Sequence, residues 1–187
     1  MWDIPTKESS LYLTFDDGPI PEVTPFVLDV LKQFNAKATF FCVGENVKKH
    51  PAIFQRILDE GHAVGNHTYF HLNGWKTDNH TYISNVGSAD ALIHSKLFRP
   101  PYGKMKLSQI SNLKSQYSIV MWSLLSKDYD KSMTGKQCLQ RVLRKAKPGS
   151  IIIFHDSLKA FERLQYALHK VLEHFSSKGF SFKKILL

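Results

Sequence analysis

The chain has 187 residues, 43% hydrophobic and 22% charged, with 10 Gly and 8 Pro, the composition of one ordinary globular domain over 1–187. A chain of this length buries roughly 70% of the surface its unfolded form exposes, and 13 Phe, 7 Tyr and 3 Trp exclude a disordered protein. The net charge of +9 lies wholly in the last third: residues 1–130 carry 13 basic and 13 acidic side chains, residues 131–187 carry 12 and 3.

That basic third offers a face for an anionic polymer or a membrane surface, or it is simply a set of solvated helix faces. No Lys/Arg run is interleaved with aromatics, so nucleic acid is not expected as a partner. No apolar run approaches roughly 18 residues, which excludes a membrane-spanning helix. Met1–Ser10 lacks the apolar centre of a signal peptide. Two cysteines, Cys42 and Cys138, make no disulfide framework and are expected as free buried thiols. Compartment and oligomeric state are left open.

Short apolar runs alternate with amphipathic stretches along the whole chain. Leu11–Phe15 reads as a strand. Thr24–Phe34 reads as a helix capped by Thr24, with Pro25 in its first position. Lys37–Val43 is the second strand, Pro51–Glu60 a helix closed by Gly61, and His62–Asn66 the third strand. A helix follows over about 80–96, then a strand that opens at Leu97–Phe98 and ends at Pro100, and another at Ser118–Trp122. Thr134–Lys147 is an amphipathic helix ended by Pro148-Gly149. Ser150–Phe154 is the sixth strand, Ser157–Phe175 a long helix, and Phe180–Ile185 a last strand.

This alternation predicts parallel pairing and an α/β fold, with about seven units, enough to close a small barrel. A doubly wound open sheet is the alternative. No G-x-G-x-x-G or Walker-type loop supports a nucleotide.

Reactive side chains fall where strands end. Asp16 and Asp17 follow the first strand, His67 the third, Arg99 the fourth, Asp128 the fifth and His155 the sixth. In a parallel α/β barrel these ends share one rim, where active sites are built. Asp16-Asp17-Gly18-Pro19 is either a surface turn or a carboxylate pair that needs a cation or a proton. His67 and His71, four apart, would share one face of a helical turn and grip one ion; with a carboxylate they make a three-ligand site with open positions. The other histidines, His50, His62, His80, His94, His169 and His174, read as surface or capping residues. Arg99 can orient a carboxylate, and Tyr102 can offer a backbone N–H from a loop stiffened by Pro100 and Pro101. His155, ending a β-branched strand, suits a proton donor.

Thr14-Phe15-Asp16-Asp17-Gly18-Pro19, His67-Thr68-Tyr69-Phe70-His71, Arg99-Pro100-Pro101-Tyr102-Gly103, the Trp122 to Asp128 segment and Ile153-Phe154-His155 resemble the ordered motifs of the polysaccharide deacetylase family. This is the fourth family of carbohydrate esterases, which includes chitooligosaccharide and peptidoglycan deacetylases. The match runs from about Leu11 to Lys184. The resemblance implies a distorted, incomplete (β/α)7-type barrel with its site at the C-terminal strand ends. It also implies a divalent metal, usually zinc, with cobalt or another ion as alternatives, and an acetylated oligo- or polysaccharide as substrate.

By motif, Asp16 resembles the general base, and Asp17, His67 and His71 the metal ligands. Arg99 resembles the residue that orients the base, and His155 the general acid paired with Asp128. Pro101 and Tyr102 resemble substrate-binding residues, with the Tyr102 N–H as an oxyanion donor. The chain departs from the pattern in its fourth motif: Leu125 stands where a second carboxylate is usual, and Tyr129 where Trp is usual. These changes fall on the substrate-facing wall. The implied activity is removal of N-acetyl groups with release of acetate. The competing readings are an amidohydrolase of small cyclic amides or ureides, an O-acetyl esterase on a glycan, and a non-catalytic glycan- or anionic-polymer-binding protein.

Overall fold

Alternation along the first strand sets the architecture. The computed structural model describes residues 1–186. In β1 (Ser10–Asp16) successive side chains face opposite ways. Leu11, Leu13 and Phe15 join one apolar cluster with residues of the surrounding helices. Tyr12 joins a second cluster with Phe41, Leu97, Val120, Ile151 and Ile185, which fills the barrel interior. Phe15 is fully buried with its ring centroid 5.1 Å from Phe40 and 6.2 Å from Phe154. Truncating such a side chain to Ala costs about 3–5 kcal/mol.

The remaining strands are β2 (Thr39–Cys42), β3 (Ala63–Asn66), β4 (Leu97–Phe98), β5 (Ser118–Ile119), β6 (Leu124–Leu125), β7 (Ile151–His155) and β8 (Ser181–Phe182). The helices are α1 (Val23–Gln33), α2 (Gly44–Lys49), α3 (Pro51–Asp59), α4 (Asn79–Ile93), α5 (Leu107–Leu113), α6 (Gly135–Lys145) and α7 (Phe161–Ser176). The strands run in the order β5-β4-β3-β2-β1-β7-β6, with β8 paired to the start of β1, and every pairing is parallel. The result is a distorted, incomplete (β/α)7-type barrel, not a doubly wound sheet.

The open seam lies between β5 and β6, the two edges of the sheet. Residues 1–4 run along it. The Met121 N–H donates to the Met1 carbonyl (2.7 Å), Asp3 forms an antiparallel bridge with Ser150, and the Ile4 N–H donates to the Gly149 carbonyl (2.9 Å).

Several elements differ from the sequence expectation. Helix α2 and helix α5 are not predicted, because six and seven residues are too few to display a helical period. The two-residue β6 is also unpredicted. Helix α1 is entered from Glu22, and Thr24 sits inside it. The Thr24 hydroxyl is engaged elsewhere: it donates to Asp156 (2.6 Å) and accepts from the Ile20 N–H (2.8 Å). Helix α7 begins at Phe161, which leaves residues 157–160 as a turn. Thr134, read as the first residue of its helix, is instead the cap of α6, accepting from the Gln137 N–H. Both cysteines are free and buried. No helix among the described residues is long and apolar enough to cross a membrane.

Candidate active site

Register brings the site together. Asp16 of β1 lies opposite His155 of β7, two steps beyond the inward-facing Tyr12 and Ile151. Asp16 therefore ends the inward row and faces the barrel mouth. Beneath it, Arg99 is fully buried with its guanidinium 4.0 Å over the Phe41 ring. Its Nη1 donates to Asp16 Oδ1 (2.6 Å) and to the Thr14 hydroxyl (2.7 Å). Nε and Nη2 donate to the carbonyls of Val120 (3.1 Å) and Met121 (2.9 Å). Arg99 thus fixes Asp16 and also ties down the segment that crosses the seam. Burial lowers the Arg99 pKa, and the Asp16 charge opposes that; the guanidinium stays protonated in any case.

Asp17, His67 and His71 offer three donor atoms within 4.8 Å of one another. His71 Nε2 lies 3.3 Å from Asp17 Oδ1 and His67 Nε2 lies 3.9 Å from it. Two donors on one tetrahedral zinc ion stand roughly 3.3 Å apart, so the cluster is close to the spacing a metal requires. His67 Nδ1 is 2.7 Å from the Arg99 carbonyl oxygen, which can only accept. The proton is therefore on Nδ1, and the Nε2 lone pair faces the cluster. Burial, against the pull of Asp16, pushes His67 down to about 4, so the imidazole is neutral as a ligand must be. Burial alone would raise Asp17, but the hydrogen bond from His71 and the charge of His155 hold it well below the usual carboxylate range.

The two histidines do not share a helical turn as the spacing predicts. Thr68 and His71 have φ of 62° and 54°, and the segment is a bent loop. Three buried or half-buried side chains shape it. Asn66 accepts from the Thr68 N–H, Asn85 accepts from the N–H groups of Tyr69 and Phe70, and the Thr68 hydroxyl accepts from the Leu72 N–H. Helix α2 then joins this loop to the Asp17 loop. The N–H groups of Gly44 and Glu45 donate to the Thr68 and Tyr69 carbonyls, and the Asn46 amide donates to the Asp17 carbonyl (2.8 Å).

On the opposite side, His155 Nδ1 is 2.7 Å from Asp128 Oδ1, and Asp128 is fully buried. Burial lowers the His155 pKa, but the charge and hydrogen bond of Asp128, with Asp17 and Asp16 beyond, raise it to about 9. Ser126 donates to the same carboxylate (3.0 Å), and Arg163 Nε donates to the Asp128 carbonyl (2.6 Å).

A cavity of about 410 Å³ is lined by Asp16, Asp17, His67, His71, Tyr102 and His155, with Trp122, Leu125, Tyr129 and Ile153 supplying an apolar wall. Tyr102 has φ 59°, and its N–H meets no protein acceptor among the described residues. Pro101 is buried and lies outside the cavity wall, where Pro100 stands instead.

A polysaccharide deacetylase model matches residues 3–119. A peptidoglycan-N-acetylglucosamine deacetylase of Bacillus cereus is 37% identical over 186 residues, covering 95% of this chain and 67% of that protein. The chain belongs to the polysaccharide deacetylase family. A chitooligosaccharide deacetylase of Azorhizobium caulinodans is 31% identical over 202 residues, covering 97% of this chain and 95% of that one. Among solved structures, a peptidoglycan N-acetylglucosamine deacetylase in complex with 4-naphthalen-1-yl-N-oxidanyl-benzamide superposes with a TM-score of 0.93 at 35% identity, over 98% of this chain and 89% of that chain.

One buried acid of this polysaccharide deacetylase domain escapes motif reading. Asp156 follows His155 and is fully buried. It accepts from the Gly18 N–H (3.0 Å) and the Thr24 hydroxyl, while its own N–H donates to the Asp16 carbonyl (3.0 Å). A Cβ on Gly18 would lie 1.9 Å from its Oδ2. Burial beside Asp17 pushes its carboxyl up to about 8. The only sequence signal was its adjacency to His155. His62 is also not a surface residue: it is buried, accepts from the Ala38 N–H at Nδ1 (3.2 Å), and is pushed down to about 4 by burial. The basic third is less open than its charge suggests. Arg163 is buried, Lys183 pairs with Glu8, and Arg141 donates to the Leu125 carbonyl.

Proposed function

We propose that this chain is a metal-dependent N-deacetylase that hydrolyses the acetamide of N-acetylglucosamine residues in a peptidoglycan-type glycan. The observation that carries the reading is the pairing of Asp16 with Arg99 and of His155 with Asp128 across one cavity. The peptidoglycan preference is supported by the two Bacillus cereus relatives, 37% and 32% identical. Acetate as product is in keeping with a family 4 carbohydrate esterase from Streptomyces lividans that was solved in complex with acetate, at a TM-score of 0.83 and 27% identity.

Asp17, His67 and His71 would hold the metal, and two imidazoles with one carboxylate suit zinc, with cobalt or another divalent ion as alternatives. When bound, a divalent ion supplies Lewis acidity for an acyl oxygen and a lowered pKa for water. Asp16 takes the proton of the attacking water. Arg99 occupies Oδ1, so Oδ2 is the free proton acceptor. The Tyr102 N–H donates to the oxygen that becomes negative at the tetrahedral stage. His155 gives its Nδ1–H to Asp128, so the Nε2–H is free for the leaving nitrogen. Its transfer lets the C–N bond break to a neutral amine and not an amine anion. The products are acetate and the free amino sugar.

The test is acetate release from peptidoglycan, chitooligosaccharides and O-acetylated xylan, with zinc or cobalt supplied. Release from the first at the highest kcat/KM is expected. Release from xylan alone would replace the reading with an esterase, and release from none would favour a binding protein.

A further inference from the structure

Beside the cavity stands an indole that is exposed yet fixed. Trp75, in the 3-10 turn Gly74–Lys76, is 59% exposed. Its Nε1–H donates to the Met105 carbonyl (3.1 Å), and its backbone N–H donates to the Asn73 side chain (3.0 Å). Under the turn, fully buried Gln109 donates to the carbonyls of Gly74 (3.0 Å) and Thr77 (3.2 Å), and its oxygen accepts from the Lys106 N–H (2.9 Å). Gly74 is seated so closely that a Cβ would lie 2.5 Å from the Lys104 carbonyl oxygen. The turn is therefore anchored to the loop that follows Tyr102.

Lys104 joins this platform to the reaction site. It lines the cavity, and its Nζ lies 4.9 Å over the Trp75 ring. No carboxylate pairs with it among the described residues. A rigid aromatic surface binds at low entropic cost, because nothing has to be ordered. The apolar C–H face of a pyranose ring fits such a surface. A cation held against the ring, with no acid of its own, adds selection for an anionic substituent.

We propose that Trp75 and Lys104 form a subsite for the sugar next to the reacting one, and that this subsite selects a sugar carrying a carboxylate. The inference rests on the glycan reading above and deepens it. The reaction site handles the acetamide; Trp75 stacks the neighbouring ring and Lys104 reads its charge.

The test uses a matched pair: a tetrasaccharide of 2-acetamido sugars whose alternate residues carry a 3-O-carboxyethyl ether, and its primary-amide form, equal in shape but uncharged. Binding to an Asp16→Asn protein is measured by calorimetry, and kcat/KM is measured on the active enzyme. The charged form should be favoured by about two- to fivefold, the size of an exposed ion pair, and the preference should fade with salt. Lys104→Gln should erase the preference. Trp75→Ala should weaken binding of both forms by about tenfold or more. A preference that survives Lys104→Gln, or that disappears in Lys159→Gln instead, overturns the assignment, as does a Trp75→Ala protein that binds like the wild type. Preference in binding without acetate release from either form would count against the deacetylase reading and leave this subsite standing.

Discussion

Asp128 holds His155 at two points: Oδ2 accepts the backbone N–H and Oδ1 accepts from Nδ1, each at 2.7 Å. One carboxylate thereby sets the ring's place, its tautomer and its charge. Burial would lower the His155 pKa, but Asp128 and the more distant Asp17 and Asp16 raise it to about 9. Asp128→Asn should move the basic limb of the kcat/KM profile to lower pH, since the proton donor is then lost earlier. The same linkage acts on stability. A histidine whose folded pKa is raised contributes fully below about 6.5 and loses the contribution as pH rises through about 9. The melting-temperature gap between wild type and Asp128→Asn, measured on metal-free protein, should narrow over that interval; a constant gap would refute the linkage.

His155 should matter more for amides than for esters. His155→Ala is expected to lose about 10²–10⁴-fold in rate on an acetamide, the usual size for a missing general acid. The loss on an acetate ester should be smaller, because an alkoxide leaves more readily than an amine anion. Equal losses on both substrates would remove His155 from the role of proton donor to the leaving group.

Asp16 and Asp17 are adjacent in sequence but differently engaged. Asp16 is bound to Arg99, while Asp17 Oδ1 faces His71 and His67. Asp16→Asn should abolish turnover and keep metal affinity within a few fold. Asp17→Asn should weaken metal binding itself, read by competition with a chelator. Parallel loss of metal in both variants would contradict the division.

Gly18 and Asp156 form a second support under the Asp17 loop. Gly18→Ala would place a methyl against the Asp156 carboxylate, and Asp156→Ala would remove the acceptor of both the Gly18 N–H and the Thr24 hydroxyl. Each should lower metal affinity by about 10–100-fold, as loss of an outer-shell partner does. The readout is metal affinity beside the melting temperature of the metal-free protein. A fall in the second alone would reduce Asp156 to a packing residue.

Much of this was legible in the sequence, and the reason is local. Strand identity follows from runs such as Leu11–Phe15 and Ile151–Phe154, whose β-branched and aromatic residues suit a pleated, buried surface. Reactive residues just past those runs must lie on one rim, because all the strands are parallel. What tertiary structure alone decided is non-local. Arg99 reaches Asp16 across 83 residues, and Asp156 reaches Gly18 across 138. Helix α2, too short to show a period, reaches the His71 loop through the backbone N–H groups of Gly44 and Glu45 and the Asp17 loop through the Asn46 amide. The left-handed backbone of Asp17, Thr68, His71 and Tyr102 is likewise invisible in residue type. Such positions are unfavourable in isolation and persist because surrounding hydrogen bonds over-determine them. The residues of the site are thus a property of the sequence, and their convergence is a property of the barrel mouth, where contacts distant along the chain impose conformations that no local preference selects.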